Sequence, residues 1–156
     1  MNVAVFSDTH TSTARMVRAV REARPDAIIH LGDHDRDAEV LRREFPEIPV
    51  YCVCGNCDAV PSAPTRDVVS LGPVKAFLTH GHLYNVRWGR LDSLVYAAQE
   101  AGAKLALFGH THQALYEEMG GVKIINPGTA GVGRNRTWAW LQIFDNGGIA
   151  CEIREL

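Results

Sequence analysis

The feature that most restricts the fold of this chain is a repeated change of pattern: a short apolar run, a loop of Asp, His, Asn and Gly, then a stretch of helical period. Asn2 to Phe6 runs into Ser7-Asp8-Thr9-His10, and Ala14, Val17, Val20 and Ala23 then share one helical face, ended by Arg24-Pro25. Thr11 or Ser12 is placed to cap that helix. Ala27 to His30 begins a second round, with Leu31-Gly32-Asp33-His34-Asp35 as its loop and Ala38, Leu41 and Phe45 as the inward face before Pro46. Val50 to Val53 is the third run, stopped by Cys54-Gly55-Asn56-Cys57-Asp58. Three strands separated by two helices imply parallel pairing with right-handed crossovers. The loops then leave one edge of one sheet, which sets Asp8, His10, Asp33 and Asn56 side by side.

The second half changes character. Ala59 to Asp67, with Pro61 and Pro64, reads as a connection. Asp67 to Leu71 and Val74 to Leu78 form a strand pair around Gly72-Pro73, and the second strand ends in Thr79-His80-Gly81-His82. Leu91, Leu94, Val95, Ala98 and Ala101 lie on one stripe of a helix that stops at Gly102. Leu105 to Phe108 is a buried strand running into Gly109-His110-Thr111-His112. Gln113 to Glu118, Val122 to Ile125, Thr137 to Phe144 and Ile149 to Arg154 complete the strands, with Asn146-Gly147-Gly148 as a hairpin turn. Both alternating sets of Thr137 to Phe144 are largely apolar, so this strand is expected to be covered on both faces. The order fits an α/β fold, two mixed β-sheets packed as a sandwich flanked by helices, in a single domain over residues 1–156.

Composition narrows the function. A net charge of −2 excludes a general nucleic-acid or anionic-membrane binder held by a basic field, so phosphate affinity has to come from a local site. No apolar run approaches the ~20 residues of a membrane span, and the chain enters its first strand without a basic leader, which makes the cytoplasm the expected location. Four cysteines do not make a disulfide framework. A structural zinc site needs two spaced pairs, and Cys54-Gly55-Asn56-Cys57 does not open a helix as a redox motif does. Cys52 and Cys54 read as small apolar residues on one strand face. His30 reads as a partly buried, hydrogen-bonded strand residue, and His34 with Asp35 as a solvated loop or helix cap.

Seven histidines carry more information, because five of them stand in one Asp-x-His and two His-x-His patterns. These spacings put two donors on one side of an extended backbone. With Asp33, the amide oxygen of Asn56 and no required thiolate, the set suits two borderline divalent ions, one carboxylate bridging them. Either His80 or His82 can be the donor of its loop.

Six motifs in order, Asp8-Thr9-His10, Gly32-Asp33, Gly55-Asn56-Cys57-Asp58, His80-Gly81-His82, Gly109-His110-Thr111-His112 and Asn126-Pro127-Gly128-Thr129, make the chain resemble the calcineurin-like metallophosphoesterases. The resemblance is to the small single-domain bacterial and archaeal phosphodiesterase branch, with its four-layer α/β/β/α fold. It implies that Asp8, His10, Asp33 and His112 hold one metal, and Asp33, Asn56, His80 and His110 the other. The implied ions are Mn first, with Fe, Ni, Co or Zn as substitutes. It further implies hydrolysis of a small-molecule phosphodiester by a hydroxide bridging the ions, with no covalent enzyme intermediate. Asn56, Cys57 and His82 are the expected catalytic positions, and Arg134 and Arg136, in the loop after Asn126-Pro127-Gly128, either reach a substrate phosphate or are surface arginines beside a turn. Many relatives carry a histidine where this chain has Cys57. A thiol near cations loses its proton readily and is then a poor donor, so diesters with good leaving groups are expected over alkyl monoesters. The competing class is a protein-binding scaffold of the same fold, and a homo-oligomer is compatible with either reading.

Overall fold

Alternation along the buried strands builds the architecture of this computed structural model, which describes residues 1–156. The elements in chain order are β1 (Asn2–Phe6), α1 (Ala14–Ala23), β2 (Ala27–His30), α2 (Asp37–Glu44), β3 (Val50–Cys52), β4 (Arg66–Leu71), β5 (Val74–Thr79), α3 (Asp92–Glu100), β6 (Leu105–Leu107), β7 (Leu115–Met119), β8 (Val122–Asn126), β9 (Thr137–Ile143) and β10 (Ile149–Glu155). They form two five-stranded sheets, ordered β10-β9-β1-β2-β3 and β4-β5-β6-β8-β7. In the first, β1, β2 and β3 are parallel and β9 joins antiparallel beside β1. In the second, β5, β6 and β8 are parallel, with β4 and β7 antiparallel at the edges.

Each central strand buries both faces. Val3 and Val5 of β1, Ile29 of β2 and Leu141 of β9 point between the sheets, where they meet Leu78, Leu107 and Ile125 of the second sheet. The alternate residues Ala4, Phe6 and Ile28 face outward under α1 and α2, against Met16, Val20 and Leu41. On the far side Phe77, Ala106 and Ile124 pack under Leu94, Val95 and Ala98 of α3. The result is the four-layer α/β/β/α sandwich that the pattern of runs implied.

Local details depart from expectation. The buried face of α1 is Met16, Ala19 and Val20, while Ala14 is exposed and Val17 and Ala23 are half-buried. Met16 accounts for the rotation, since its long unbranched side chain reaches the cluster around Phe6 and Trp138. Thr13, not Thr11 or Ser12, precedes the helix, and it makes no side-chain capping bond. β3 ends at Cys52, so Cys54 is buried in a loop and not on a strand face. β7 starts at Leu115, because Gln113 stays in the loop that carries His112. Phe144 falls outside β9 and is 49% exposed. Ala139, Leu141 and Ile143 bury the inner face of β9, but on the outer face Trp138 is buried, Trp140 half-buried and Gln142 exposed, so the expected double cover holds only at the start of the strand.

Leu141 sits at the middle of the inter-sheet layer with no exposed surface. Leu141→Ala is expected to destabilise the protein by roughly 2–5 kcal/mol through lost burial and a residual cavity. Urea unfolding of both proteins measures this, and a loss below about 1 kcal/mol contradicts a continuous core at that point.

Candidate metal centre

Both sheets present the carboxyl ends of their parallel strands at one rim of the sandwich. β1 delivers Asp8 and His10 there, β2 delivers Asp33, and β3 delivers Asn56 and Cys57. From the second sheet β5 delivers His80 and β6 delivers His110 and His112. Two bonds stitch the sheets at this rim: His80 Nδ1 donates to the Leu31 carbonyl at 2.7 Å, and the His110 backbone N–H donates to Asp8 Oδ2 at 3.1 Å.

The donors do not sit on extended backbone, contrary to the reading of Asp-x-His and His-x-His as strand-end alternation. Asp8, His10, Asp33, His110 and His112 all have positive φ, between 44° and 67°. The strands end at Phe6, His30 and Leu107, and the chain then coils back over the rim in left-handed turns. Such conformations cost free energy for residues with a Cβ, and their concentration at one rim marks a functional site.

Close backbone packing fixes the turns. A Cβ on Gly55 would overlap the Asp33 carboxylate, and one on Gly109 would overlap the Ser7 hydroxyl. Asp58 accepts from the backbone N–H of His34 and Asp35 at 2.8 and 2.9 Å and from that of Gly55 at 2.7 Å, bracing the Asp33 loop against the Asn56 loop. Asp35 is 2% exposed and is not a solvated cap; it accepts from the N–H and hydroxyl of Ser62 and the N–H of Ala63. Asn126 donates to Gly109 O at 2.8 Å and to Thr111 Oγ1 at 3.0 Å. Thr129 donates to Asp8 O at 3.0 Å. Sequence reasoning placed Asp58, Asn126 and Thr129 in the family motifs without assigning them a bracing role, and read Asp35 as a solvated loop or cap. Their signal was an Asx or hydroxyl residue two or three positions from a glycine or a donor, a pattern shared with ordinary turns.

His30 is fully buried under the site. The Gly32 N–H points at its Nδ1 (3.3 Å), its Nε2 lies 3.0 Å from Thr9 Oγ1, and that hydroxyl donates to Asp33 O at 3.4 Å. A neutral ring with its proton on Nε2 satisfies the whole chain, and it ties the Asp8 loop to the Asp33 loop. Burial lowers its pKa to about 4 against partial opposition from Asp37 and Asp8.

Asp8, His10, Asp33 and His112 each offer a ligand atom, and these atoms all lie within 4.8 Å of one another. His112 Nε2 is 3.1 Å from Asp8 Oδ1, and His10 Nε2 is 3.8 Å from Asp33 Oδ2. The other Asp33 oxygen faces the second group of donors, with His80 Nε2 at 3.3 Å from Oδ1. His110 stacks edge-on to His80 with ring centres 5.1 Å apart, and His82 lies 5.6 Å from His80. Asn56 is exposed at the mouth, its amide nitrogen 3.4 Å from the Cys57 sulphur. Arg134 shares a shallow groove with His112, whereas Arg136 spends its Nε on Gly131 O at 3.0 Å. His34 packs edge-on to His10 at 5.5 Å.

The donor set fits a divalent metal. Asp8 Oδ1, His10 Nε2 and His80 Nε2 are buried polar atoms with no aligned hydrogen-bond partner, which is costly unless a cation completes them. Because the His80 Nδ1 proton is used on Leu31 O, its Nε2 lone pair is the one aimed at the carboxylates, the arrangement of a metal-ligating imidazole. Without ions, burial opposes charge on His80 and Asp33 alike, but their mutual contact outweighs it: His80 is raised and Asp33 falls below the usual carboxylate range. His112 is raised by its contact with Asp8. His110 is lowered to about 4 by burial, His80 and Arg87, and His82 is lowered by burial and His80. Burial and the carboxylates of Asp33, Asp58 and Asp8 push the Cys57 thiol up to about 11. Easier loss of that proton, expected from nearby cations, thus requires bound ions to outweigh three carboxylates.

The fold is that of a family of phosphoesterases. Residues 1–145 match the model of the calcineurin-like phosphoesterase superfamily domain, and the chain belongs to that family. It is 34% identical over 139 residues to the probable metallophosphoesterase YsnB of Bacillus subtilis, covering 87% of this chain and 79% of that one. A Methanocaldococcus jannaschii protein named a phosphodiesterase is 25% identical over 145 residues, 82% of this chain and 83% of its own. Among solved structures, a Streptococcus pneumoniae protein described as a predicted phosphoesterase superposes with a TM-score of 0.79 at 26% identity, over 98% of this chain and 97% of that one. Vps29 of Entamoeba histolytica, complexed with zinc, shares the fold at a TM-score of 0.77 and 21% identity, over 99% of each chain.

Two outcomes are expected here. Gly55→Ala displaces the Asp33 carboxylate and weakens binding of Mn²⁺ by roughly 10–100-fold, as loss of a ligand's support does; calorimetric titration reads it, and unchanged affinity contradicts the packing. In the metal-free protein the His30 imidazole titrates near pH 4, read from ¹⁵N shifts, and a midpoint near 6.5 contradicts its burial. An unfolded His30 binds its proton near 6.5, so this residue's contribution is complete above that pH. As pH falls from 6.5 to 4 it removes on the order of 3 kcal/mol of stability.

Proposed function

We propose that this chain is a dinuclear metal-dependent phosphodiesterase, with Asp33 bridging two ions. The observation that carries the reading is the division of one buried carboxylate: Asp33 Oδ2 turns to His10 and Oδ1 to His80. Asp8, His10 and His112 complete the first set; His80, His110 and Asn56 complete the second. Two divalent ions bound there, Mn most readily, would supply a nucleophile of lowered pKa and neutralise phosphoryl charge. The protein's own contribution is placement. The rim holds donors on rigid turns, the Leu31 carbonyl fixes the His80 tautomer, and Arg134 stands beside His112 as a cation for a phosphoryl oxygen.

Cys57 and His82 govern the leaving group. Cys57 donates its backbone N–H to Asp33 Oδ1 at 3.0 Å, so this residue helps orient the bridging carboxylate whatever its side chain does. A thiol at its mouth position offers weak proton donation, and His82, held neutral by burial and His80, offers little more. Diesters with good leaving groups are therefore the fitting substrates, a reading supported by the relative named a phosphodiesterase. Such a substrate is a small molecule, met in the cytoplasm; no helix of the chain is long and apolar enough to cross a membrane.

Hydrolysis of bis(4-nitrophenyl) phosphate is expected with Mn²⁺ and is lost on chelation. Cys57→Ala retains this turnover, and Cys57→His raises activity on alkyl monoesters roughly 10²-fold, the lower end of general acid assistance. Abolished turnover in Cys57→Ala with both ions bound makes the thiol catalytic and overturns this account. Two bound ions without hydrolysis under any divalent metal leave the protein-binding scaffold as the surviving reading.

A further inference from the structure

Beside the second metal set the rim opens into a groove of about 350 Å³. His110 and His112 form one wall of it. Val86, Leu91 and Phe108 make the floor, each no more than 6% exposed, and Leu115 with Ala114 closes the side along β7. Arg87, Gln113 and Glu117 stand exposed at its edge.

Position and chemistry narrow what this groove accepts. A phosphorus held at the imidazoles has the groove as the adjoining space for one of its ester groups, so whatever fills it also orients the reacting centre. The volume lies at the small end of ligand pockets, ~300–1,000 Å³, which suits one ring system and not an extended chain. The apolar floor favours a group with a flat carbon face. Along the edge the groove is lined by a guanidinium and a carboxylate, and an acyl or alkyl group would take both from water with nothing in return. A planar nitrogen heterocycle has the flat face for Val86, Leu91 and Phe108 and an edge of donors and acceptors for Arg87, Gln113 and Glu117. A bare sugar or a methyl group has neither.

We propose that this groove is the subsite for a nucleoside-type ester group of the substrate, with Arg87 and Glu117 reading the heterocycle edge. The assignment rests on the phosphodiesterase reading for its catalytic meaning, though not for binding. Arg87 is near enough to His110 for its charge to act on that imidazole, which places edge and metal ligand in one site.

The test compares the 4-nitrophenyl ester of thymidine 5′-phosphate with methyl 4-nitrophenyl phosphate, under Mn²⁺, in the wild-type protein and in Ala114→Trp, which fills the groove. In the wild type the kcat/KM ratio of thymidine to methyl ester is expected to exceed about ten-fold, the scale on which one filled pocket discriminates. Ala114→Trp is expected to lower that ratio by about ten-fold or more. Leu115→Asn, which makes the side wall polar, replaces it if the tryptophan variant does not fold. In parallel, thymidine is titrated into the metal-free ¹⁵N-labelled protein, where the amides of Val86, Leu91 and Leu115 are expected to shift. A ratio near one, or a ratio the variants leave unchanged, overturns the subsite while hydrolysis itself upholds the phosphodiesterase. No hydrolysis of either ester with groove amides shifting upholds the subsite and overturns the phosphodiesterase. Shifts confined to other surfaces overturn the subsite.

Discussion

Asp8 and Asp33 are a pair of carboxylates that the fold takes out of water at the seam of its two sheets, at 0% and 3% exposure, beside an imidazole that is equally inaccessible. Two like charges in that setting repel each other and lose their hydration, a cost of several kcal/mol per ion in ordinary protein surroundings. The rim is arranged around this cost. His80 Nε2 stands 3.3 and 3.9 Å from Asp33 and Asp8, backbone N–H groups from His110 and Cys57 reach carboxylate oxygens, and three of the candidate ligand atoms, Asp8 Oδ1, His10 Nε2 and His80 Nε2, remain buried without an aligned partner. Divalent cations remove the repulsion and complete the unpaired atoms together, which is why a metal centre is the natural content of this rim.

Holding the donors there consumes local stability. Five of the candidate ligands occupy left-handed backbone, and glycine at positions 55 and 109 lets neighbouring turns approach where a side chain would collide. The strain is carried by braces beneath: Asp58 and Asp35 take backbone N–H groups from facing loops, and His30 links the Asp8 and Asp33 turns through Thr9. These contacts touch no substrate. They hold the geometry that a reaction between fixed charges needs, on loops that rise from doubly buried strands.

The two sides of the rim differ, and the difference bears on substrate choice. Toward β7 and the turn of Val86 lies an apolar-floored groove; toward Arg134 the surface is shallow and cationic. In the proposed reaction, a phosphoryl group between them would meet a place for an ester substituent on one side and a counter-charge on the other. That asymmetry comes largely from segments beside the ligand motifs, the turn of Val86, the start of β7 and the Arg134 loop, so substrate choice is separable from the donor set.

The sequence by itself determined the two-sheet architecture and the placing of the candidate donors at strand ends. Apolar alternation needs only nearest neighbours to be read, and Asp8, His10, Asp33, His80, His110 and His112 follow strand ends where parallel pairing gathers them. Tertiary structure decided how those donors are aimed. Left-handed turns replaced the extended backbone inferred for Asp-x-His and His-x-His, because the loops fold back over the rim once the second sheet closes on the first. It also decided that Asp35, which looked like a solvated cap, is a buried brace, and that the α1 face turns toward Met16. It assigned Arg136 to its own loop and left Arg134 at the site. The physical reason is common to all of these. Periodicity records which residues avoid water, whereas the direction of a polar side chain depends on partners dozens of residues away, and those partners exist only after the sheets have met.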